Sequence, residues 1–322
     1  VYQLLFLDRV PSHAAIHTTV NLTKRTRGAS VGRFVNAILR SVDRERWQPD
    51  DLASLWGHPQ WMVARMKREE EGDMSRVEQR LEANMSAAPT MLRLHPSTSI
   101  DAISGSLPSS HVPHHVVLPQ SGAEILAGIR AGKWLPQDES SARVVQYLDP
   151  QPGDRILELC AGRGVKTTQL ADAVGPSGLV VSVDVSASRL VENQRLLKRW
   201  APGVPVYSFA ADATELLPLD PELRFDRILI DAPCSGLGVI RRRPETLWRR
   251  QEEDIPTLAS IQRKLVANVS PWLKPGGHCV YAVCTTTAEE TTDIVGHCSV
   301  ASFTTSVEKG SADGFYAARL AL

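Results

Sequence analysis

Apolar residues recur at helical spacing over the first part of the chain and switch to short strand-like runs over the last. Residues 1–7 are mostly apolar and stop before Pro11, while 13–24 and 32–43 predict helices, the second carried by Phe34, Val35, Ile38 and Leu39. The opening VYQLLFL has no initiating Met and no cap residue, which suggests a start inside a domain. Helical spacing continues over 61–66 and 74–81 and ends at a breaker cluster, 87–89. Residues 85–132 are mixed. Strands are predicted at 91–94 and 115–118, a helix at 123–129, and a loop over the Pro/Ser-rich run 106–113.

From about residue 138 strands alternate with helices. The strands are 155–159, 179–183, 206–210, 225–230 and 278–283; the helices are 167–174, 186–200 and a long one at 255–273. This alternation predicts a mainly parallel, doubly wound α/β sheet with helices on both faces. Ligands of such sheets sit beyond the carboxyl ends of the strands. No internal repeat is visible. Three parts are expected: a helical front end with its linker helices at 1–84, a small α+β connecting module at 85–137, and the α/β domain at 138–322.

Composition changes this picture little. The 322 residues suffice for about two cores, and 43% apolar with 22% charged residues is ordinary for a globular protein. Net charge is zero, so nothing global announces a nucleic-acid partner. Locally, Arg9, Lys24, Arg25, Arg27, Arg33, Arg40, Arg44 and Arg46 face only Asp8, Asp43 and Glu45 within residues 1–46. That bias fits docking on phosphates, although charge by itself supports the plainer reading of a solvated helical face. The five cysteines form no C-x-x-C pair, which argues against a disulfide framework or zinc site; no metal is expected. With no apolar run of membrane-spanning length and no signal peptide, a reducing cytoplasm is the expected compartment, with no membrane partner.

Candidate chemistry lies at the strand ends. After the first strand of the α/β domain comes Cys160-Ala161-Gly162-Arg163-Gly164-Val165-Lys166-Thr167. Glycines there let backbone approach a ligand and expose amides at a helix start. Asp184 ends the second strand, where a carboxylate accepts ribose hydroxyls; Asp212 follows the third, in position for an adenine amino group; Asp231 ends the fourth. Thr167 stands where a third glycine of G-x-G-x-x-G would be, so nicotinamide and S-adenosylmethionine are equally open on this turn alone. Two cysteines then stand out: Cys234, in Asp231-Ala232-Pro233-Cys234-Ser235-Gly236, and Cys284, at the end of the last strand. For Cys160, Cys279 and Cys298 inert packing is the better reading.

Three segments, LELCAGRGVKTTQLA, DAPCSGLGVIRRRPE and LKPGGHCVYAVCTT, resemble the RNA cytosine-C5 methyltransferases of the Fmu/Sun and NOL1/NOP2 group. QDESS (137–141) and Asp313-Gly314-Phe315-Tyr316 are similar to the entry and closing strand of that family's catalytic domain. VYQLLFLDRVPSHAAI and GRFVNAILR resemble the NusB-type RNA-binding domain that precedes it in the bacterial 16S ribosomal RNA members, and HPQWMVARM the segment that follows. The resemblance covers nearly the whole chain. It departs from the family at Arg163 (usually proline), Val165 (usually glycine) and Val283 (usually threonine).

The resemblance implies a Rossmann-like class I methyltransferase domain behind an all-α NusB-like domain, with S-adenosyl-L-methionine as cofactor and RNA as partner. Cys284 would be the nucleophile that adds to C6 of cytosine, because C5 alone is a poor nucleophile. Cys234 would assist removal of the C5 proton and release of the enzyme, and Asp231 would bind the N3/N4 edge of the base. Residues 160–166 with Asp184, Asp212 and Asp231 would hold the cofactor. Arg241, Arg242 and Arg243 would grip RNA flanking a flipped base; Trp248 either packs beneath their loop, the favoured reading, or stacks on RNA. A monomer acting on ribosomal RNA is expected. A transfer-RNA substrate, a non-catalytic RNA-binding protein and, far behind, a nicotinamide oxidoreductase are the alternatives.

Overall fold

The computed structural model describes residues 1–42, 49–118, 122–308 and 311–322. Four members of the N-terminal charge cluster, Asp43, Arg44, Glu45 and Arg46, lie outside the described residues. The chain forms two compact units, Val1–Gln60 and Trp61–Leu322.

The first unit holds α1 (Tyr2–Phe6), α2 (Ser12–Arg27), α3 (Ala29–Ser41) and α4 (Leu52–Trp56). Leu4, Ala15, Val20 and Leu39 form its core. Helix α4 is too short for periodicity to reveal; Asp51 starts it by accepting from the Ser54 amide at 2.7 Å. Lys24, Arg33 and Arg40 line a groove of about 600 Å³ between α2 and α3, together with His13 and His17. Among the described residues these three cations make no ion pair with a carboxylate.

The second unit begins with α5 (Gln60–Glu69) and α6 (Met74–Met85). A small antiparallel sheet follows, built from β1 (Thr90–Leu94), β2 (Leu107–Pro108), β3 (His115–Leu118), α7 (Ala123–Arg130) and β4 (Trp134–Pro136), in the order β2-β3-β1-β4. The expected loop at 106–113 is thus corrected: Leu107 and Pro108 pair with Val117 and Val116, a contact set by β3 rather than by local sequence. Buried Arg93 on β1 anchors this sheet to the next layer, bonding Asp172 and Thr168 and lying 4.7 Å from the Trp200 ring centroid.

The α/β layer runs α8 (Glu139–Leu148), β5 (Arg155–Leu159), α9 (Val165–Val174), β6 (Leu179–Asp184), α10 (Ala187–Trp200), β7 (Val206–Ala210), β8 (Phe225–Asp231), α11 (Thr246–Arg249), α12 (Asp254–Ala267), β9 (Leu273–Val283), α13 (Thr292–Val295), β10 (Ser299–Thr305) and β11 (Phe315–Leu320). Its sheet has the order β10-β11-β9-β8-β5-β6-β7. Pairs from β9 through β7 are parallel, and β11 and β10 join antiparallel. Apolar residues such as Ile156, Leu157, Leu229 and Ile230 fill both faces with no exposure.

Three departures from the expected elements have physical causes. The helix foreseen over 255–273 stops at Ala267, because Pro271 cannot continue a helix; a 3-10 turn, Ser270–Trp272, follows and Leu273 already belongs to β9. Strand β10 was not foreseen: it is an edge strand, largely exposed and half polar, recruited by pairing with β11. Helix α8, likewise unforeseen, is capped by Asp138, which accepts from the Ser140 amide at 2.8 Å.

Candidate active site

The carboxyl ends of β5, β6, β8 and β9 converge where strand order reverses beside β5. The turn after β5 is wound left-handed at Cys160 (φ 61°), Gly162 (φ 57°) and Gly164 (φ 88°). A side chain at Gly164 would come within 2.6 Å of Asn193, so glycine is required there for packing as well as conformation. Val165 starts α9 in helical conformation and therefore escapes the left-handed strain that its branched side chain would suffer one position earlier. Thr167 replaces a third glycine with a function: its hydroxyl donates to Glu158 at 2.6 Å and accepts from Asn193 at 3.1 Å. Burial pushes the Glu158 carboxyl up to about 7.

Asp184, buried at the end of β6, accepts from the Gly162 and Ser186 amides, each at 2.8 Å. Asp212, exposed after β7, accepts from the Thr214 amide and hydroxyl, which hold its carboxyl below the usual range. Arg163 points outward to Glu192 at 2.9 Å. Lys166, at the start of α9, is turned inward. Its side chain is 10% exposed and its ammonium lies 2.8 Å from Asp231. Burial works against its charge, but Asp231 more than compensates and holds its pKa above the ordinary value.

The two expected cysteines meet. Their sulfurs are 3.3 Å apart, both as free thiols. A hydrogen bond from Cys234 is the main reason the Cys284 thiol titrates below its ordinary value; burial and Asp231 oppose the shift, and Lys166 and Arg243 add to it. The same bond and burial drive Cys234 well above its own. The two thiols are thus an unequal pair, Cys284 the more acidic and Cys234 the less. Burial drives the Cys160 and Cys279 thiols far up, in keeping with packing roles.

The residues that support this pair were not singled out from sequence. Glu290, fully buried, accepts from the Ser235 amide at 2.8 Å, Gln262 at 3.1 Å and the Thr287 hydroxyl at 3.0 Å. Gln262 also donates to the Pro233 carbonyl at 2.9 Å, and Arg250 to the Cys234 and Ser235 carbonyls, each at 3.1 Å. A signal existed for Gln262, a polar residue in the stripe Ile255, Ala259, Gln262, Val266. Gly238 donates to the Cys284 carbonyl at 3.0 Å, and a Cβ there would lie 2.1 Å from the Gly314 carbonyl. Behind this backbone a cavity of about 950 Å³ opens toward α5 and α6, bordered by Gly238 and Thr286 but also by Glu69, Glu70 and Arg80.

The arginine run divides. Arg241 has no exposed side-chain surface: it donates to Asp313 at 2.8 Å and to the Glu308 carbonyl at 3.0 Å. Arg242 bonds Asp313 and, at 2.8 Å, Asp138. The expected grip on RNA is therefore corrected for Arg241, whose donors are spent inside the fold; Arg242, ion-paired as it is, keeps 28% of its side chain exposed. Arg243 alone of the three is exposed without an ion pair among the described residues. Trp248, expected to pack, is 71% exposed instead. Among the described residues no cluster of three or more His, Cys, Asp or Glu side chains is arranged for a metal, and no helix is long and apolar enough to cross a membrane.

A parallel sheet closed by two antiparallel strands, with a glycine turn after its central strand and carboxylates on the neighbouring strand ends, defines a Rossmann-like methyltransferase. The chain belongs to the 16S rRNA methyltransferase RsmB/F family, whose model matches residues 145–309; residues 1–44 match the NusB family. It is 33% identical to the ribosomal RNA small subunit methyltransferase B of Proteus mirabilis, over 97% of this chain and 75% of that protein. The Erwinia tasmaniensis counterpart is 34% identical over 90% of this chain and 69% of its own. In fold it is similar to the crystal structure of PH0851 (TM-score 0.85, 22% identity, 98% of this chain and 79% of the other). It is also similar to NSun6 from Pyrococcus horikoshii with SFG (TM-score 0.72, 18% identity, 81% and 97%).

Proposed function

We propose that this chain transfers a methyl group from S-adenosyl-L-methionine to C5 of a cytosine in RNA, with small-subunit (16S) ribosomal RNA as substrate, through a covalent bond between Cys284 and C6. The observation that carries the reading is the pair of sulfurs 3.3 Å apart at the ends of adjacent strands β8 and β9, beside the Asp231–Lys166 ion pair. A nicotinamide oxidoreductase has no use for that pair. The division at 1–84, 85–137 and 138–322 into NusB-like, connecting and catalytic parts belongs to the same proposal, as does a cytoplasmic site of action.

The cofactor, S-adenosyl-L-methionine, supplies an electrophilic methyl on its sulfonium. The residues present fit it. Each Asp184 oxygen accepts one amide and keeps a second lone pair for a ribose hydroxyl. Asp212 stands ready for the adenine amino group, and the open turn 160–166 presents backbone to the rest. Lys166 orients Asp231 through one carboxylate oxygen, and the other Asp231 oxygen, without a bond among the described residues, is available to the N3/N4 edge of cytosine.

Cys284 would add as thiolate to C6, forming a carbon–sulfur bond and leaving C5 enamine-like; C5 would then take the methyl carbon as its bond to the sulfonium breaks, with the neutral thioether as leaving group. Once the Cys284 sulfur is alkylated it no longer accepts the hydrogen bond from Cys234, which releases its own proton to solvent and stands as a thiolate base. Cys234 then assists removal of the C5 proton; the electron pair restores the C5–C6 double bond and expels the Cys284 thiolate. Away from the reacting atoms, the cationic groove of Lys24, Arg33 and Arg40 offers sequence-independent contact to phosphates.

The test is incubation with tritiated cofactor and unmodified 16S ribosomal RNA or transfer RNA. Label is expected in the ribosomal RNA alone. Cys234→Ala should accumulate an RNA adduct that survives denaturation, and Cys284→Ala should form neither adduct nor product. An adduct on Cys284→Ala reverses the two roles; label in transfer RNA alone overturns the substrate; no calorimetric binding of S-adenosylmethionine supports a non-catalytic RNA-binding protein.

A further inference from the structure

Trp248 is one of several exposed large apolar side chains of the second unit, beside Leu216, Val185 and Tyr207, and the largest of them. It sits on the four-residue helix α11 and is 71% exposed, although the residue before it, Leu247, is buried with Ile240 and Met62. The helix is pinned through that neighbour and through Arg250, whose guanidinium reaches the carbonyls of Cys234 and Ser235 at 3.1 Å. The indole is thus held outward on a rigid mount two residues from a group that touches the catalytic loop. No aromatic ring or cation packs on it among the described residues.

Its surroundings point to one occupant. Arg243 and Arg249 are exposed on the same segment without ion pairs among the described residues, while Arg241 and Arg242 are paired with Asp313. Glu245 offsets one of these charges and leaves the rim cationic. An aromatic face between unpaired arginines suits a nucleic-acid strand, whose bases offer π-faces and whose phosphates offer charge; an apolar protein surface would leave both arginines desolvated.

We propose that Trp248 is an RNA-holding contact: it stacks on a base adjoining the target cytosine, with Arg243 and Arg249 on the flanking phosphates. Extruding the target leaves its neighbour with one bare face, which an exposed indole on the helix tied by Arg250 to the Cys234 loop would cover. The inference rests on the reading of RNA as substrate and adds to it the residue that holds the strand.

The unaltered chain is compared with Trp248→Leu, Trp248→Phe and Trp248→Ala in steady-state methylation of a 16S RNA fragment and in equilibrium binding of that fragment. Ala and Leu should raise KM and Kd for RNA by roughly 5- to 100-fold, with KM for S-adenosylmethionine unchanged and kcat within about twofold. Phe should recover most of the loss, because stacking needs a flat π-face and not merely apolar bulk. Recovery by Leu equal to that by Phe overturns the proposal and points to an apolar protein contact; RNA constants unchanged in all three variants overturn it too. Should the unaltered chain bind the fragment without methylating it, the catalytic reading fails, and the Leu–Phe difference in Kd still decides the role of Trp248.

Discussion

The Cys284 thiol titrates below an ordinary cysteine because Cys234, 3.3 Å away, keeps its proton and donates it, with Lys166 and Arg243 adding positive potential. A thiol with a lowered pKa holds its reactive thiolate to lower pH than a free cysteine, near 8.5. Alkylation of Cys284 by iodoacetamide, followed by peptide mass spectrometry across a pH series, should therefore have its midpoint below that value. Cys234→Ala removes the donor and should move the midpoint to higher pH. If it stays in place, the nearby cations and not Cys234 set the reactivity. The residue types at 231, 234 and 284 were readable as chemistry in sequence; the direction of the proton between the two sulfurs was not, because it depends on a separation across 50 residues of chain.

At the scale of elements, the loop between β8 and α11 is held by charges that sequence alone invites one to place in solvent. Arg241, with no exposed side-chain surface, pairs with Asp313 at the entrance of β11, and Arg242 joins from the other side. Asp313→Ala would leave a buried guanidinium uncompensated, at a cost of about 3–5 kcal/mol. Denaturant unfolding should show the loss as a fall in midpoint with little change in slope. Arg242→Ala, at a partly exposed position, should cost less than half as much; equal losses would argue against burial as the cause. A run of three arginines carries no mark of which members face inward. Only β11, arriving from the far end of the chain, decides it.

At the scale of the molecule, stability is tied to pH through Glu158, fully buried in the central strand and linked to Thr167 and Ser182. Burial raises its carboxyl to about 7 from 4.5. The native state then holds a proton that the unfolded chain releases between those values, so stability falls as pH rises through the window and levels off above it. The slope from this group is at most about 1.4 kcal/mol per pH unit. Glu158→Gln should flatten the difference between melts at pH 5 and pH 7. An unchanged difference would mean that Glu158 is ionised in the fold.

The alternation of apolar runs with helical stripes determined the doubly wound sheet, and it located the glycine turn, the aspartates and the two cysteines at strand ends, because those signals are local. Periodicity is silent on edge strands such as β10, on the two-residue β2, and on helices of one turn such as α4, whose existence depends on pairing or capping partners. It likewise gave no hint of Glu290 and Arg250 as the supports of the catalytic loop, or of Trp248 facing out. Which polar side chain is buried against which backbone is a property of distant segments brought together, and for this protein only the tertiary structure decided it.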